Sequence, residues 1–254
     1  LVAAQPLLGD ALGALVAAFV GVAGLIAIKE VSVFARLSRI DQLNRDAATA
    51  LADSSLAQAR AVVGGLDKLY AGRSDLAWGR ARLKEREADM FDAEALLAVA
   101  ETDLMAPLDR AAEAEVAAAA RQVATVTALV PLALADVVAA LSANIRMIRR
   151  IGEIYGGRSG TLGSWRLLRA VVTHLVTTGA MAVGDDFLEP MLGGSLLGKL
   201  SRRFGEGLVN GALTVRVGVA AMEVCRPLPF SDTTQPSTRA IGRHALGGLF
   251  SASK

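Results

Sequence analysis

The sequence predicts an all-α protein with an N-terminal transmembrane helix, an elongated helical stalk or hairpin, and a small-residue-rich helical bundle. Three observations carry that reading. Residues 11–28 (ALGALVAAFVGVAGLIAI) hold no charge and no strong polar group. The chain of 254 residues is 53% hydrophobic but only 4% aromatic, and Ala, the best helix former, dominates that share with Leu and Val. Apolar residues downstream of the first segment recur at helical spacing.

Taken in order, residues 11–28 span roughly 27 Å as a helix, close to the hydrocarbon thickness of a bilayer. They show no polar face, and no basic region precedes them as it would in a cleavable signal peptide. Residues 1–10 carry Asp10 and no Lys or Arg, whereas residues 29–45 carry Lys29, Arg36, Arg39 and Arg45 against Glu30 and Asp41. That asymmetry places the following chain in the cytoplasm. Gly13, Ala17 and Gly21 form a small-residue stripe suited to close packing with a partner helix. The chain begins with Leu1, so further sequence is expected upstream.

Residues 29–122 read as a cytoplasmic helical neck and charged stalk. Val33, Leu37, Ile40, Asn44, Ala47 and Leu51 make an a/d-like seam. Gly64-Gly65 marks a weak point, and Ser74 with Asp75 marks a fresh helix start. Leu76, Leu83, Met90, Leu97 and Leu104 recur every seven residues through a densely charged stretch. Pro107 interrupts it, so two antiparallel helices joined near Pro107 are expected.

Residues 123–226 change character. The apolar runs 123–143, 167–183 and 208–225 are rich in small residues, with internal Asp136, His174, Asn210 and Arg216. Complete lipid-exposed spans rarely tolerate such groups, so a compact bundle is favoured over a membrane-dipping hairpin. Residues 227–254 read as a flexible tail ending in a short amphipathic turn around Ile241 to Phe250.

The motifs give no positive argument for an enzyme. Gly193 to Lys199 (GGSLLGK) spells most of a phosphate-binding loop, but Leu200 stands where Ser or Thr should bind magnesium. Its lead-in GDDFLEPML is a poor strand and would repel phosphate. Asp185, Asp186 and Glu189 read as helix-terminus acids rather than as a cation site. His174 has no acidic neighbour at helical spacing and reads as a core histidine. The lone Cys225 has no activating His and is expected to be inert. No catalytic, metal or cofactor residue is assigned. The net charge of +2 gives no support to nucleic-acid binding.

Basic residues are more informative. Arg146, Arg149 and Arg150, then Arg166 and Arg169, then Lys199, Arg202 and Arg203 flank apolar segments. Each basic group near an anionic leaflet is worth on the order of 1 kcal/mol, so these eight are the candidate lipid contacts.

Four blocks carry a resemblance. They are KEVSVFARLSRIDQLNRDA (29–47), VPLALADVVAALSANIRMIRRIGEIYG (130–156), SWRLLRAVVTHLVTTGAMAVGDDFLEP (164–190) and KLSRRFGEGLVNGALTVRVGVAAMEVCRPLPF (199–230). Through them the chain resembles the YcjF-like family of uncharacterised bacterial inner-membrane proteins. The resemblance implies two N-terminal membrane helices, one of them upstream of Leu1. Residues 130–156 and 210–226 are also similar to the helical domain behind the GTPase domain of some bacterial GTPases, with dynamin-type stalks as the functional analogy. No GTPase domain is expected here, and the family brings no catalytic residues.

The expectation is therefore a non-enzymatic inner-membrane protein with its bulk in the cytoplasm. It would bind anionic phospholipid membranes and oligomerise, at least to a dimer, to organise or remodel them. A membrane-tethered adaptor docking a protein partner such as a GTPase, and a transport-related membrane subunit, are the alternatives.

Overall fold

A computed structural model describes residues 38–129, 133–156, 161–177 and 202–251, and among these every regular element is helical. The apolar segment 11–28, the acidic cluster at 185–189 and the phosphate-loop-like stretch 193–199 lie outside the described residues.

Helix α1 is described from residue 38 and continues to 52. Ile40, Leu43, Ala47 and Ala50 are buried, while Leu51 is exposed. The expected seam thus drifts round the helix, and it packs into the body of the protein instead of standing free as a neck. Ser54 adopts a left-handed φ of 48° and breaks the chain direction. Ser55 then caps α2 (Leu56–Tyr70), its side chain accepting from the Gln58 amide. Gly64-Gly65 does not break this helix. A Cβ at Gly65 would stand 2.5 Å from Leu43 Cδ2, so this glycine admits α1.

A 3-10 turn, Ser74–Leu76, leads into α3 (Ala77–Glu87), without a side-chain cap from Ser74. The chain reverses at residues 88–92, and Asp92 caps α4 (Ala93–Ala100) by accepting from the Ala95 amide at 2.8 Å. The expected reversal at Pro107 is absent. A π turn, Glu101–Met105, carries the chain straight from α4 into α5 (Ala106–Leu129). The widened turn lies where Pro107 has no N–H to give, so the helix passes through the proline. The heptad stripe is realised all the same: Leu76, Leu83, Leu97 and Leu104 are buried, and Met90 packs against them.

Four helices follow: α6 (Ala133–Ile154), α8 (Arg202–Cys225) and α9 (Thr238–Ser251) pack on α5, and α7 (Thr161–Thr177) packs on α6 and α8. Helix α8 lies antiparallel along α5 through a run of small residues. A Cβ at Gly207 would be 2.6 Å from the Ala124 carbonyl, and one at Gly218 2.5 Å from the Val116 methyls. Residues 205–225 form the one described helix long and apolar enough to cross a bilayer. Val215, Ala221 and Met222 are nevertheless fully buried, and α8 serves as the central helix of the body. The C-terminal segment is not a loose tail. Ile241, Ala245 and Leu246 of α9 are buried, with Leu246 against Gly211.

Candidate functional site

Helix α6 divides its surface between core and exterior. Ala143, Met147, Ile148 and Ile151 point inward. Val137, Val138 and Leu141 are 63%, 66% and 55% exposed, and Ile145 follows at 38%. At about 100° per residue these four fall within a sector of roughly 100°. Arg149 borders that sector, and Arg146 and Arg150 continue round the outer face; all three are exposed. Arg149 and Arg150 both reach Glu153, at 3.7 and 3.0 Å. Such exposed pairs hold the side chains weakly and leave the cluster net positive. Arg169 is exposed on α7, with Val172 and Val176 also exposed on that helix. The structure therefore brings Arg146, Arg149 and Arg150 together on one helix. Arg166 lies on α7 and Arg202 and Arg203 on α8, in stretches of which only the backbone is described, and Lys199 lies outside the described residues.

His174 departs from the sequence expectation. Its Nε2 stands 2.6 Å from the Glu223 carboxylate of α8, a partner that α7 itself does not contain. The pair separates two surface grooves of about 490 and 630 Å³. Arg216, Gln235 and Thr238 line one, and Asp41, Asn44 and Arg169 line the other. Cys225 is buried, and burial pushes its thiol up to about 12, which makes it unreactive. Among the described residues no three His, Cys, Asp or Glu side chains gather to hold a metal ion.

The arrangement that sequence reasoning missed is centred on Arg226, which is fully buried just after α8. Its Nε donates to Asp109 Oδ1 at 3.0 Å, and one terminal nitrogen donates to Asp109 Oδ2 and Glu101 Oε1 at 3.0 and 2.8 Å. The other nitrogen donates to the Leu228 and Pro229 carbonyls. Every guanidinium N–H is thereby used. The Phe230 ring covers its face at 4.0 Å. The Tyr155 hydroxyl donates to Asp109 at 2.7 Å, and the Tyr70 hydroxyl donates to the Tyr155 carbonyl at 3.1 Å. Burial drives both phenols well above their ordinary range. Burial also pushes the Glu101 carboxyl up, but hydrogen bonds from Thr234 and Ser231 and the Arg226 charge outweigh it and hold it low. No donor is left for a ligand, so the network fixes structure. It straps residues 226–234 onto the π turn. No sequence signal marked it, because Pro107 lies between Glu101 and Asp109 and only the π turn places both acids on one continuous helix.

Comparison with known proteins places this architecture. Residues 91–251, from the α4 cap to the end of α9, match the model of the domain of unknown function DUF697. A UPF0283 membrane protein of Rhizobium etli is 43% identical over 226 residues, covering 89% of this chain and 63% of the relative. One from Agrobacterium fabrum is 43% identical over 238 residues, covering 94% and 64%. One from Rhizobium meliloti is 44% identical over 227 residues, covering 89% and 63%. The chain thus spans less than two thirds of the curated relatives it matches. No solved structure matches it. With the greater part of its helical body matched, from α4 through α9, the chain belongs to the DUF697 family, and the relatives it resembles are described as bacterial membrane proteins.

Proposed function

We propose that this is a non-enzymatic protein anchored in the bacterial inner membrane by residues 11–28, with its helical body on the cytoplasmic side. The body binds anionic phospholipid and self-associates, organising or remodelling the membrane as dynamin-type stalks do, but without a GTPase domain. The observation that carries this reading is the outer face of α6, where Arg146, Arg149 and Arg150 are exposed beside an apolar sector. Between residues 137 and 152 that helix contains no acid. Membrane relatives at 43% identity support the setting. Cations on a protein tethered to the same bilayer act at high effective concentration, so contacts of on the order of 1 kcal/mol each suffice.

Flotation of residues 29–254 with vesicles of phosphatidylcholine, with and without phosphatidylglycerol, tests it. Binding should require the anionic lipid and weaken with salt, and the paired substitution Arg149→Glu, Arg150→Glu should reduce it at least tenfold. Electron microscopy of the same vesicles reads tubes or constrictions. Unchanged binding by the charge-reversed protein sinks the assignment. A monodisperse protein indifferent to lipid points instead to the adaptor reading. Trp78 and Phe91, 70% and 83% exposed around α3, favour that second reading as anchors for a protein partner.

A further inference from the structure

We infer that the first half of α6 enters the lipid as an interfacial wedge, with Val138 and Leu141 below the headgroups and the arginines at headgroup level. This rests on the lipid-binding reading above and goes beyond it, because surface cations alone require no insertion. The observation behind it is the sidedness of α6. Its apolar residues are not all spent on the core: Met147, Ile148 and Ile151 are buried, yet Val137, Val138, Leu141 and Ile145 are exposed on the first half of the helix, along a sector that the core covers only from Ile148 onward. An isolated exposed leucine needs no explanation, whereas a four-residue sector on one helix is an interaction surface.

Charge identifies the occupant. Arg149 borders the sector and Arg146 and Arg150 follow it, so the face pairs an apolar strip with a cationic margin. That is the pattern of helices lying in a membrane interface, where the apolar side sinks about 5–10 Å and long cationic side chains reach back to phosphate. A second copy of the chain fits less well, because it sets the same three arginines against themselves, and the acids of α6, Asp136 and Glu153, lie only at the two ends of the sector. The tether agrees. Nine residues, 29–37, separate the apolar segment from the start of described α1. Even fully extended they reach only about 30 Å, which keeps the body close to the bilayer surface.

The test uses the full chain reconstituted in vesicles, with a polarity-sensitive fluorophore on a single introduced cysteine. Val138→Cys and Leu141→Cys report on the wedge, and Thr233→Cys, on the exposed strap, serves as control. All three positions lie outside the core, and the native Cys225 is buried, so unsubstituted protein gives the labelling background. In vesicles containing phosphatidylglycerol, the probes at 138 and 141 should shift to an apolar emission. Lipids brominated on the acyl chain near the headgroup should quench them several-fold, leaving the probe at 233 unaffected. Water-like emission at 138 and 141, with salt-sensitive flotation of residues 29–254 retained, overturns insertion and leaves surface binding standing. Apolar emission that brominated lipid fails to quench also overturns it, because protein then covers the sector. Failure of residues 29–254 to float on the anionic vesicles, together with no quenching at 138 and 141 of the full chain, overturns the two readings together.

Discussion

At the residue scale the deciding group is Arg226. A fully buried guanidinium is tolerable only when carboxylates and carbonyls replace its water, and here all its N–H groups are engaged. Removing it strands Glu101 and Asp109 as partly buried, unbalanced acids. Arg226→Met should therefore cost about 3–5 kcal/mol in denaturant unfolding. Adding Asp109→Asn to that variant should recover part of the loss, whereas Asp109→Asn alone should destabilise. If the two substitutions instead add independently, the network is not coupled as described. This residue also shows where sequence reading stops. Arg226 and Asp109 are 117 positions apart, and His174 and Glu223 are 49 apart. No local period encodes such pairings, so His174 looked partnerless. Cys225, by contrast, lies at the end of an apolar run and is buried, as that run alone suggests.

Local rules work better at the scale of elements. The seven-residue recurrence of Leu76, Leu83, Met90, Leu97 and Leu104 identified a face that the structure buries, because helical periodicity depends only on the helix itself. The way the elements connect was less legible. Proline normally stops a helix, and only the π turn at Glu101–Met105 lets α4 run on through Pro107. Glycines mislead for a similar reason. Gly64 and Gly65 look like a hinge, yet both lie inside α2, and only Gly65 meets a neighbour. The difference is measurable. At Gly207 the Ala124 carbonyl stands 2.6 Å from any added Cβ, and backbone cannot step aside. Gly207→Ala should accordingly destabilise by about 1–3 kcal/mol despite its better helix propensity. Gly64→Ala, with nothing within 4 Å, should stabilise by about 0.5–1 kcal/mol. Thermal unfolding of the two variants reads the contrast, and equal shifts would mean that α5 and α8 do not touch closely.

For the molecule as a whole, the consequential point is that α1 belongs to the body and also follows, in sequence, the apolar segment 11–28 proposed as the membrane anchor. Ile40 and Leu43 are buried in the common core, and Asn44 donates to the Arg226 carbonyl at 2.9 Å. A helix that was only a linker would show neither. The seam of the expected neck was real, but its partner is the same chain rather than another copy, a distinction that apolar spacing alone does not make. Cutting the chain within this helix should therefore injure the fold. Residues 46–254 lose Ile40, Leu43 and Asn44, and with two large buried side chains gone the loss should be about 4 kcal/mol or more. Residues 29–254 keep all three. Circular dichroism melts of the two fragments should differ by about 8–16 °C or more, on a scale of about 2–4 °C per kcal/mol for a body of this size. Coincident melts would return α1 to the role of a free neck. If the difference is found, α1 transmits position as well as tethering. On the function proposed above, any force on an anchor at residues 11–28 would then reach Leu43, Gly65 and the Arg226 network directly, and α6 would meet the bilayer on a rigid body instead of a floating one.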